Sequence, residues 1–301
     1  MHIQYTERSR HLMPDPRTAS SSATRMLSDY SIELNPRQPR VLDAARDRLD
    51  RGTEVFLVWI PGADPIDMVA PASRLRRAGL VPVPHVGARL LESSGQLAQL
   101  AARLAGEAGV DRILLVGGDR ARPVGPYAAS LEVMQTGMFQ NVGITRMAIA
   151  GFPEGNPNIS QTALEEAFAA KLNFGRRDGL ELSIVTQFCF QAGPIVSWLE
   201  HIRARGIDNP VRVGLAGPAS LVTLAHYAVR CGIGNSLHVL REHPAFAQLL
   251  TASGPAPIIQ GIAEAAPATN SSLPLGITGL HFFAFGSVNK TIDWINAERV
   301  H

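Results

Sequence analysis

Short apolar runs rich in β-branched and aromatic residues recur along the chain and alternate with longer amphipathic segments. The runs are continuous rather than alternating in polarity, which is typical of strands buried on both faces of a parallel sheet. They predict strands over residues 31–34, 55–60, 81–86, 112–117, 146–151, 182–188, 211–216 and 280–285. The pattern therefore indicates a sheet whose two faces are covered by other elements.

The segments between these runs have the periodicity of helices with one buried face. They predict helices over residues 40–51, 65–78, 93–108, 128–141, 161–177, 194–205, 219–231 and 288–298. Strand and helix alternate eight times, which indicates the α/β class and a closed (β/α)8 barrel, the TIM barrel. An open doubly wound sheet is the alternative.

The chain is expected to form a single catalytic domain over residues 28–301. An insertion at 238–273 lies between the seventh and eighth strands and contains a further helix at about 237–251. Residues 1–27 contain many Ser, Arg and Pro residues and predict a flexible N-terminal arm.

Composition excludes several classes of protein. Apolar residues make up 46% and charged residues 18% of the chain, so it can bury a large core, and a net charge of +2 is too small for general nucleic-acid binding. Cys189 and Cys231 have no metal-ligand or disulfide pattern, which predicts free thiols in a reducing compartment. No apolar run reaches the roughly 18 residues of a membrane span and no secretory signal is present, so we expect a cytoplasmic protein.

Polar and aromatic residues follow the predicted strands at their carboxyl ends, where the active sites of such barrels lie. The ends carry Glu33, His85, Gly117 with Gly118 and Asp119, Glu154 with Asn156, Gln187 with Phe188, and His281. A barrel can fold without polar and aromatic residues at the carboxyl ends of its strands. The pattern therefore predicts an active site at this end.

Two carboxylates are the strongest candidates for chemistry. Burial beside the barrel mouth would raise the pKa of Glu33, which would make it a general acid near neutral pH; a salt bridge or a polar cap is the alternative. The glycines before Asp119 would let a ligand approach the main chain, whereas a helix cap or an Asx-turn explains the same carboxylate without a ligand.

The remaining candidates also have structural explanations. His85 serves either acid–base chemistry or a structural hydrogen bond, and Gln187 needs a partner that either a ligand or the backbone can supply. Turn chemistry alone explains Glu154 and Asn156. Lys171 and Arg176 form either a phosphate site or a solvated helix face. No nucleotide-binding glycine motif and no HExxH or CxxC pattern is present, so we expect no metal.

The ordered set of strand ends resembles the methylenetetrahydrofolate reductase family over about residues 29–298. The matching segments are SIELNP, PHVG, GGDR followed by PYAASL, FPEGNP, IVTQF and LHFFAF. The resemblance implies a flavoenzyme of one-carbon and methionine metabolism that reduces 5,10-methylenetetrahydrofolate to 5-methyltetrahydrofolate. Hydride would pass from NAD(P)H through FAD.

The same resemblance implies roles for individual residues. Glu33 would protonate the bridging nitrogen of the folate, and Asp119 would lie beside both flavin and pterin. The folate would be contacted by Asp119, Gln187, Phe188, Leu221 and His281. The FAD would be contacted by His85, Gly117, Gly118, Asp119, Tyr127, Ala128, Glu154, Asn156, Lys171 and Arg176.

Departures from the family pattern concentrate on the cofactor side. Gly117 replaces the family's arginine, Asn156 replaces its histidine, and the phosphate segment KLNFGRRDG has altered spacing. These changes imply that FAD is held weakly or is absent, and they leave a reaction in the oxidative direction open. A flavin-free folate-binding or methyl-transfer protein on the same barrel is the competing hypothesis. The oligomeric state, including a homo-oligomer, is not fixed by the sequence.

Overall fold

The computed structural model describes residues 16–60, 62–231, 233, 238, 242, 244–265, 274–285 and 287–299. Eight parallel strands follow one another in chain order around a closed barrel, and the last strand pairs with the first. The strands are β1 Tyr30–Leu34, β2 Glu54–Leu57, β3 Val81–Gly87, β4 Arg112–Val116, β5 Arg146–Gly151, β6 Glu181–Thr186, β7 Val211–Ala216 and β8 Ile277–Phe283. The predicted (β/α)8 barrel is confirmed.

Helices surround the barrel and connect its strands. They are α1 Pro16–Ser28, α2 Pro39–Arg48, α3 Val69–Arg77, α4 Ser94–Gly106, α5 Ser130–Gln135, α6 Met138–Asn141, α7 Gln161–Arg177, α8 Ala192–Ala204, α9 Leu221–Cys231, α10 Pro244–Ser253, α11 Ala256–Ala265 and α12 Val288–Glu298. Short 3-10 turns occur at Pro65–Met68, Ala88–Leu90 and Pro274–Gly276. Within the described residues, none of these helices has the length and apolar character needed to cross a membrane.

Several predicted boundaries shift for local reasons. β2 ends at Leu57 rather than at residue 60, and the Trp59 indole donates instead to the carbonyl of Ala63 within the following turn. The helix predicted over 128–141 is divided into α5 and α6 at Gly137, whose φ of +68° lies in the left-handed region. Part of the helix predicted at 237–251 lies outside the described residues, and the rest belongs to α10.

The amino-terminal segment differs from the prediction of a flexible arm through residue 27. Residues 16–28 form α1, which packs against β8 and α11. Met26 and Leu27 are buried in the main core. Residues 1–15 lie outside the described residues. The predicted arm therefore does not extend over residues 16–27, which are helical.

The insertion between β7 and β8 supplies part of the outer layer of helices. Its helix α11 packs against both α8 and α1, and its residues Ile258, Ile259 and Ile262 are buried. The predicted seventh barrel helix, α9, begins at the rim, where its Tyr227 ring stacks on Phe285 beyond β8. The insertion thus contributes to the outer wall, whereas α9 contributes to the rim near the barrel mouth.

Side chains of the strands alternate between the outer core and the barrel interior, as the pleat requires. The interior holds an apolar cluster of Phe56, Val83, Leu114, Ala148 and Val185. Below this cluster, at the amino-terminal ends of the strands, lies a layer of ion pairs formed by Asp29, Glu54, Asp111, Arg112, Arg146, Glu181 and Arg212. The polar side chains toward the other end therefore lie above a filled lumen.

Candidate active site at the barrel mouth

Glu33 points into the barrel from β1, and two histidines converge on its carboxyl group. The Nε2 atom of His85 on β3 lies 3.5 Å from Glu33 Oε2, and that of His281 on β8 lies 3.7 Å from the same oxygen. Both Nε2 atoms are buried and have no hydrogen-bond partner. Three titratable groups from three strands therefore meet above the apolar cluster.

The hydrogen bonds of Ser31 fix the tautomer of His281. The Ser31 hydroxyl lies 3.3 Å from the carbonyl oxygen of Leu280 and 2.9 Å from His281 Nδ1. A carbonyl can only accept, so both contacts are satisfied when Ser31 donates to it and Nδ1 donates to Ser31. The Nε2 atom that faces Glu33 then carries a lone pair.

Burial disfavours the charged forms of all three groups. It raises the pKa of Glu33 above its usual range. It also lowers the pKa of His85 to about 4 and, together with the positive charge of Arg212, that of His281 to about 3. A carboxyl group with a raised pKa keeps its proton to a higher pH than an ordinary Glu side chain, and beside the His281 lone pair Glu33 is placed to act as a general acid.

An aromatic wall borders Glu33 on the side of β8. Phe283 is the register partner of Glu33 across the β1–β8 pair. Its ring lies 5.5 Å from that of Phe285 at an interplanar angle of 24°, and Phe285 stacks on Tyr227 at 3.9 Å. Phe283, Phe285 and Tyr227 are half-buried, so the wall can contact a flat ring placed at the mouth.

Two of the predicted folate contacts have different surroundings. Gln187 is half-buried, and its Oε1 accepts a hydrogen bond from the backbone N–H of Phe188. The NH₂ group of its amide takes no part in this contact. Phe188 itself has no exposed surface and packs against Phe190, Phe283 and Phe285. Phe188 therefore supports the aromatic wall from behind, which differs from the predicted direct contact.

The rim contains three more predicted residues. Leu221 begins α9 and is 38% exposed. Glu154 is half-buried in the loop after β5 and accepts a hydrogen bond from the thiol of Cys189. Burial and this carboxylate together raise the pKa of Cys189. Asn156 lies in the same loop, where its Oδ1 accepts from the backbone N–H of Asn158.

The loop after β4, residues 117–128, is tied to the turn that follows β3. Asp119 is exposed on this loop, and Tyr127 is buried near its end. The Gly117 carbonyl accepts from the backbone N–H of Arg89, and the Ala128 carbonyl accepts from Arg89 Nε. Gly118 adopts a φ of +93°.

The two predicted phosphate ligands do not meet at the mouth. Lys171 is half-buried midway along α7, where burial lowers the pKa of its ammonium group to about 8. Arg176 lies in the last turn of α7, beside the amino-terminal ends of the strands, because this helix runs from the mouth to the opposite end. Arg176 therefore lies at the end of α7 that is remote from the mouth, and the assignment of Lys171 and Arg176 to the FAD diphosphate stays a prediction.

Several residues at the mouth were missed from the sequence. Ser31 and Phe283 lie two residues from Glu33 and His281 on the same faces of their strands, so strand alternation could have identified them. The sequence did not identify Tyr227 or Arg89 as residues of the site. Tyr227 lies within a helix rather than at a strand end, and the Arg89 side chain binds backbone carbonyl oxygens, so neither belongs to a recognisable motif. Within the described residues, no group of three or more His, Cys, Asp and Glu side chains is arranged to hold a metal ion.

No protein-family model matches the chain. The chain is similar to the solved structure of an uncharacterized protein from Clostridium thermocellum, which binds two copies of 5-methyl-5,6,7,8-tetrahydrofolic acid. The two share 10% sequence identity with a TM-score of 0.55, and the match covers 91% of this chain and 95% of that chain. At this identity the similarity shows that the two proteins have a common fold over nearly their whole length.

Proposed function

We propose that the protein binds a reduced folate at the barrel mouth and that Glu33 protonates it, in a reaction of the methylenetetrahydrofolate reductase type. The observation that carries the proposal is the buried Glu33 carboxyl, whose pKa burial raises, between two imidazoles whose pKa values burial lowers. The folate bound by the similar Clostridium thermocellum barrel supports the choice of ligand.

The proton transfer has a defined chemical outcome. Glu33 donates its proton to N10 of 5,10-methylenetetrahydrofolate, and the bond between the bridging carbon and N10 breaks with its electron pair moving to N10. The lone pair of N5 forms the iminium, whose carbon accepts hydride from NAD(P)H and becomes the 5-methyl group. The Glu33 carboxylate then recovers a proton from solvent.

The surrounding side chains orient the substrate and exclude water. The aromatic wall at Phe283 provides a surface for the pterin beside Glu33. The amide donors of Gln187 are free to contact a carbonyl of the ring, because its Oε1 is held by the backbone. Asp119 lies at the rim, where it can accept from the pterin's N–H groups.

A second candidate is a folate-binding or methyl-transfer protein that uses no flavin. It is supported by the placement of Lys171 and Arg176 and by the hydrogen bonds that already occupy Gly117, Ala128 and Asn156. The purified protein would then show no absorption band at about 450 nm with or without added FAD, while still binding 5-methyltetrahydrofolate.

The Glu33→Gln variant tests the first proposal. The amide keeps the shape of the side chain but cannot act as an acid, so turnover of 5,10-methylenetetrahydrofolate with NAD(P)H should fall by about 10²- to 10⁴-fold. Binding of 5-methyltetrahydrofolate, measured by calorimetry, should change little. The exposed Glu200→Gln variant is the control. Unchanged turnover in Glu33→Gln would exclude the role of Glu33 as the acid, and tight folate binding without turnover in the wild type would favour the second candidate.

A further inference from the structure

Arg89 makes contacts along the whole length of the loop formed by residues 117–128. Its backbone N–H donates to the Gly117 carbonyl at 2.9 Å, and its own carbonyl accepts from the Val124 N–H at 3.1 Å. Its side chain donates through Nε to Ala128 O at 2.8 Å and through Nη1 to Arg120 O at 3.1 Å. One residue thus reaches the beginning, middle and end of the loop.

The side-chain bonds differ in kind from the surface ion pairs elsewhere on the barrel. The guanidinium donates to neutral carbonyl oxygens, and no carboxylate of the described residues forms an ion pair with it. Hydrogen bonds from a charged donor are stronger than those between neutral groups. A guanidinium can also reach two carbonyls in different directions, whereas an ammonium group is a compact point charge.

The loop also packs closely against the chain that follows Arg89. A side chain on Gly125 would collide with the carbonyl oxygens of Leu91 and Glu92. At the far end of the loop, the Glu132 carboxylate accepts from the N–H groups of Ala128 and Ala129 and so fixes the start of α5. The loop therefore has a defined path over the end of β3.

We infer that Arg89 is a positioning residue: its side chain holds the 117–128 loop in the conformation that presents Asp119 at the folate site. This inference rests on the proposed function and identifies what determines the shape of one wall of that site. Asp119 lies between Gly117 and Arg120, whose carbonyl oxygens both accept hydrogen bonds from Arg89. We call the hydrogen bonds from Arg89 to the carbonyl oxygens of Gly117, Arg120 and Ala128 the clasp. The strand that leads to Arg89 also carries His85, so the clasp connects the loop to the group facing Glu33.

Substitution of Arg89 should release the loop without unfolding the barrel. In Arg89→Ala the two side-chain bonds are lost, but the backbone partners of Gly117 and Val124 remain in place. Faster hydrogen exchange at the Val124 amide, by about tenfold or more, would therefore report release of the whole loop. Arg89→Lys keeps the charge, yet should behave like Arg89→Ala, because one ammonium cannot replace both donors.

Ligand binding separates a positioning role from a purely structural one. Affinity for 5-methyltetrahydrofolate should fall by about tenfold or more in Arg89→Ala and Arg89→Lys, with a nearly unchanged melting temperature. Gly125→Ala should give the same two effects, because it displaces the loop and leaves Arg89 intact. Arg122→Ala, an exposed arginine on the same loop, is the matched control and should show neither.

The outcomes distinguish failure of the inference from failure of the proposed function. Unchanged hydrogen exchange of the loop in Arg89→Ala, or full rescue by Arg89→Lys, would show that the Arg89 side chain does not hold the loop. Faster exchange with unchanged folate affinity would overturn the positioning role and leave the folate proposal standing. A wild-type protein that binds no folate would remove the folate proposal and with it the positioning role, while the exchange data would still decide whether the clasp exists.

Discussion

Glu33 places a carboxyl group where charge is costly, above an apolar cluster and against two imidazoles that burial keeps neutral. Each of these groups would be easier to accommodate as a neutral amide or an apolar side chain. Their placement in the lumen accords with the proposed role of Glu33 as a proton donor. Function and stability should therefore conflict at this residue, and the conflict can be measured.

Glu33→Gln should stabilise the protein at neutral pH. Because the folded-state pKa of Glu33 is raised, the stability that its protonated form contributes is present below the unfolded pKa and is lost as pH rises toward the folded pKa. The variant lacks this loss, so its advantage in free energy of unfolding should grow by up to about 1.4 kcal/mol per pH unit across that window. Urea unfolding at several pH values tests this, and a difference independent of pH would contradict the raised pKa.

At the scale of single residues, the sequence indicates a candidate where the side chain itself carries the signal. Glu33 and His85 are conspicuous because polar groups interrupt apolar strands, and the structure brings them together. Arg89 is not conspicuous, because its partners are carbonyl oxygens that every residue possesses. Phe188 could not be placed correctly, because the sequence does not show which face of a strand end is accessible.

At the scale of elements, the predictions hold for long periodic segments and fail where packing decides. The segment PRTASSSATRMLS has weak helix propensity and few apolar residues, so nothing local predicts α1. The helix is stabilised by tertiary contacts with β8 and α11 through Met26 and Leu27. The position of α11 in the outer layer likewise depends on partners that are distant in sequence.

Met26→Ala tests whether α1 is part of the folded core. The side chain is fully buried, so its truncation should lower the free energy of unfolding by about 2–4 kcal/mol in urea titrations. Ser21→Ala, at an exposed position of the same helix, should change stability by less than about 0.5 kcal/mol. Equal stability of the two variants would mean that α1 detaches in solution, as the predicted arm would.

At the scale of the whole molecule, closure of the barrel follows from eight repeated units, but the ion-pair layer does not. The layer assembles residues from six strand ends and their preceding loops, from Asp29 to Arg212, whose proximity only the closed register creates. Although burial alone raises it, hydrogen bonds and charges from Arg112 and Arg76 lower the pKa of Asp111 to about 2. Protonation of Asp111 in acid should therefore weaken the ion-pair layer and lower the stability of the protein.

Asp111→Asn should destabilise the barrel at neutral pH and not in strong acid. A lowered folded-state pKa contributes stability above the unfolded value, near pH 4, and that stability is lost as pH falls toward about 2. With Asp111 partly exposed, we expect a difference on the order of 1 kcal/mol at pH 7. Thermal unfolding between pH 7 and pH 2 should show the two proteins converging, and a constant difference would contradict this role.

The ion-pair layer also limits how a ligand can reach the site. Among the described residues, paired charges fill the lower lumen and apolar side chains fill its middle, so a molecule that reaches Glu33 enters and leaves through the mouth. In the proposed reaction, a folate bound at the mouth would cover Glu33, so the hydride donor would approach the folate from the side that faces solvent. Under this proposal, the product would have to leave through the mouth before the next substrate could bind.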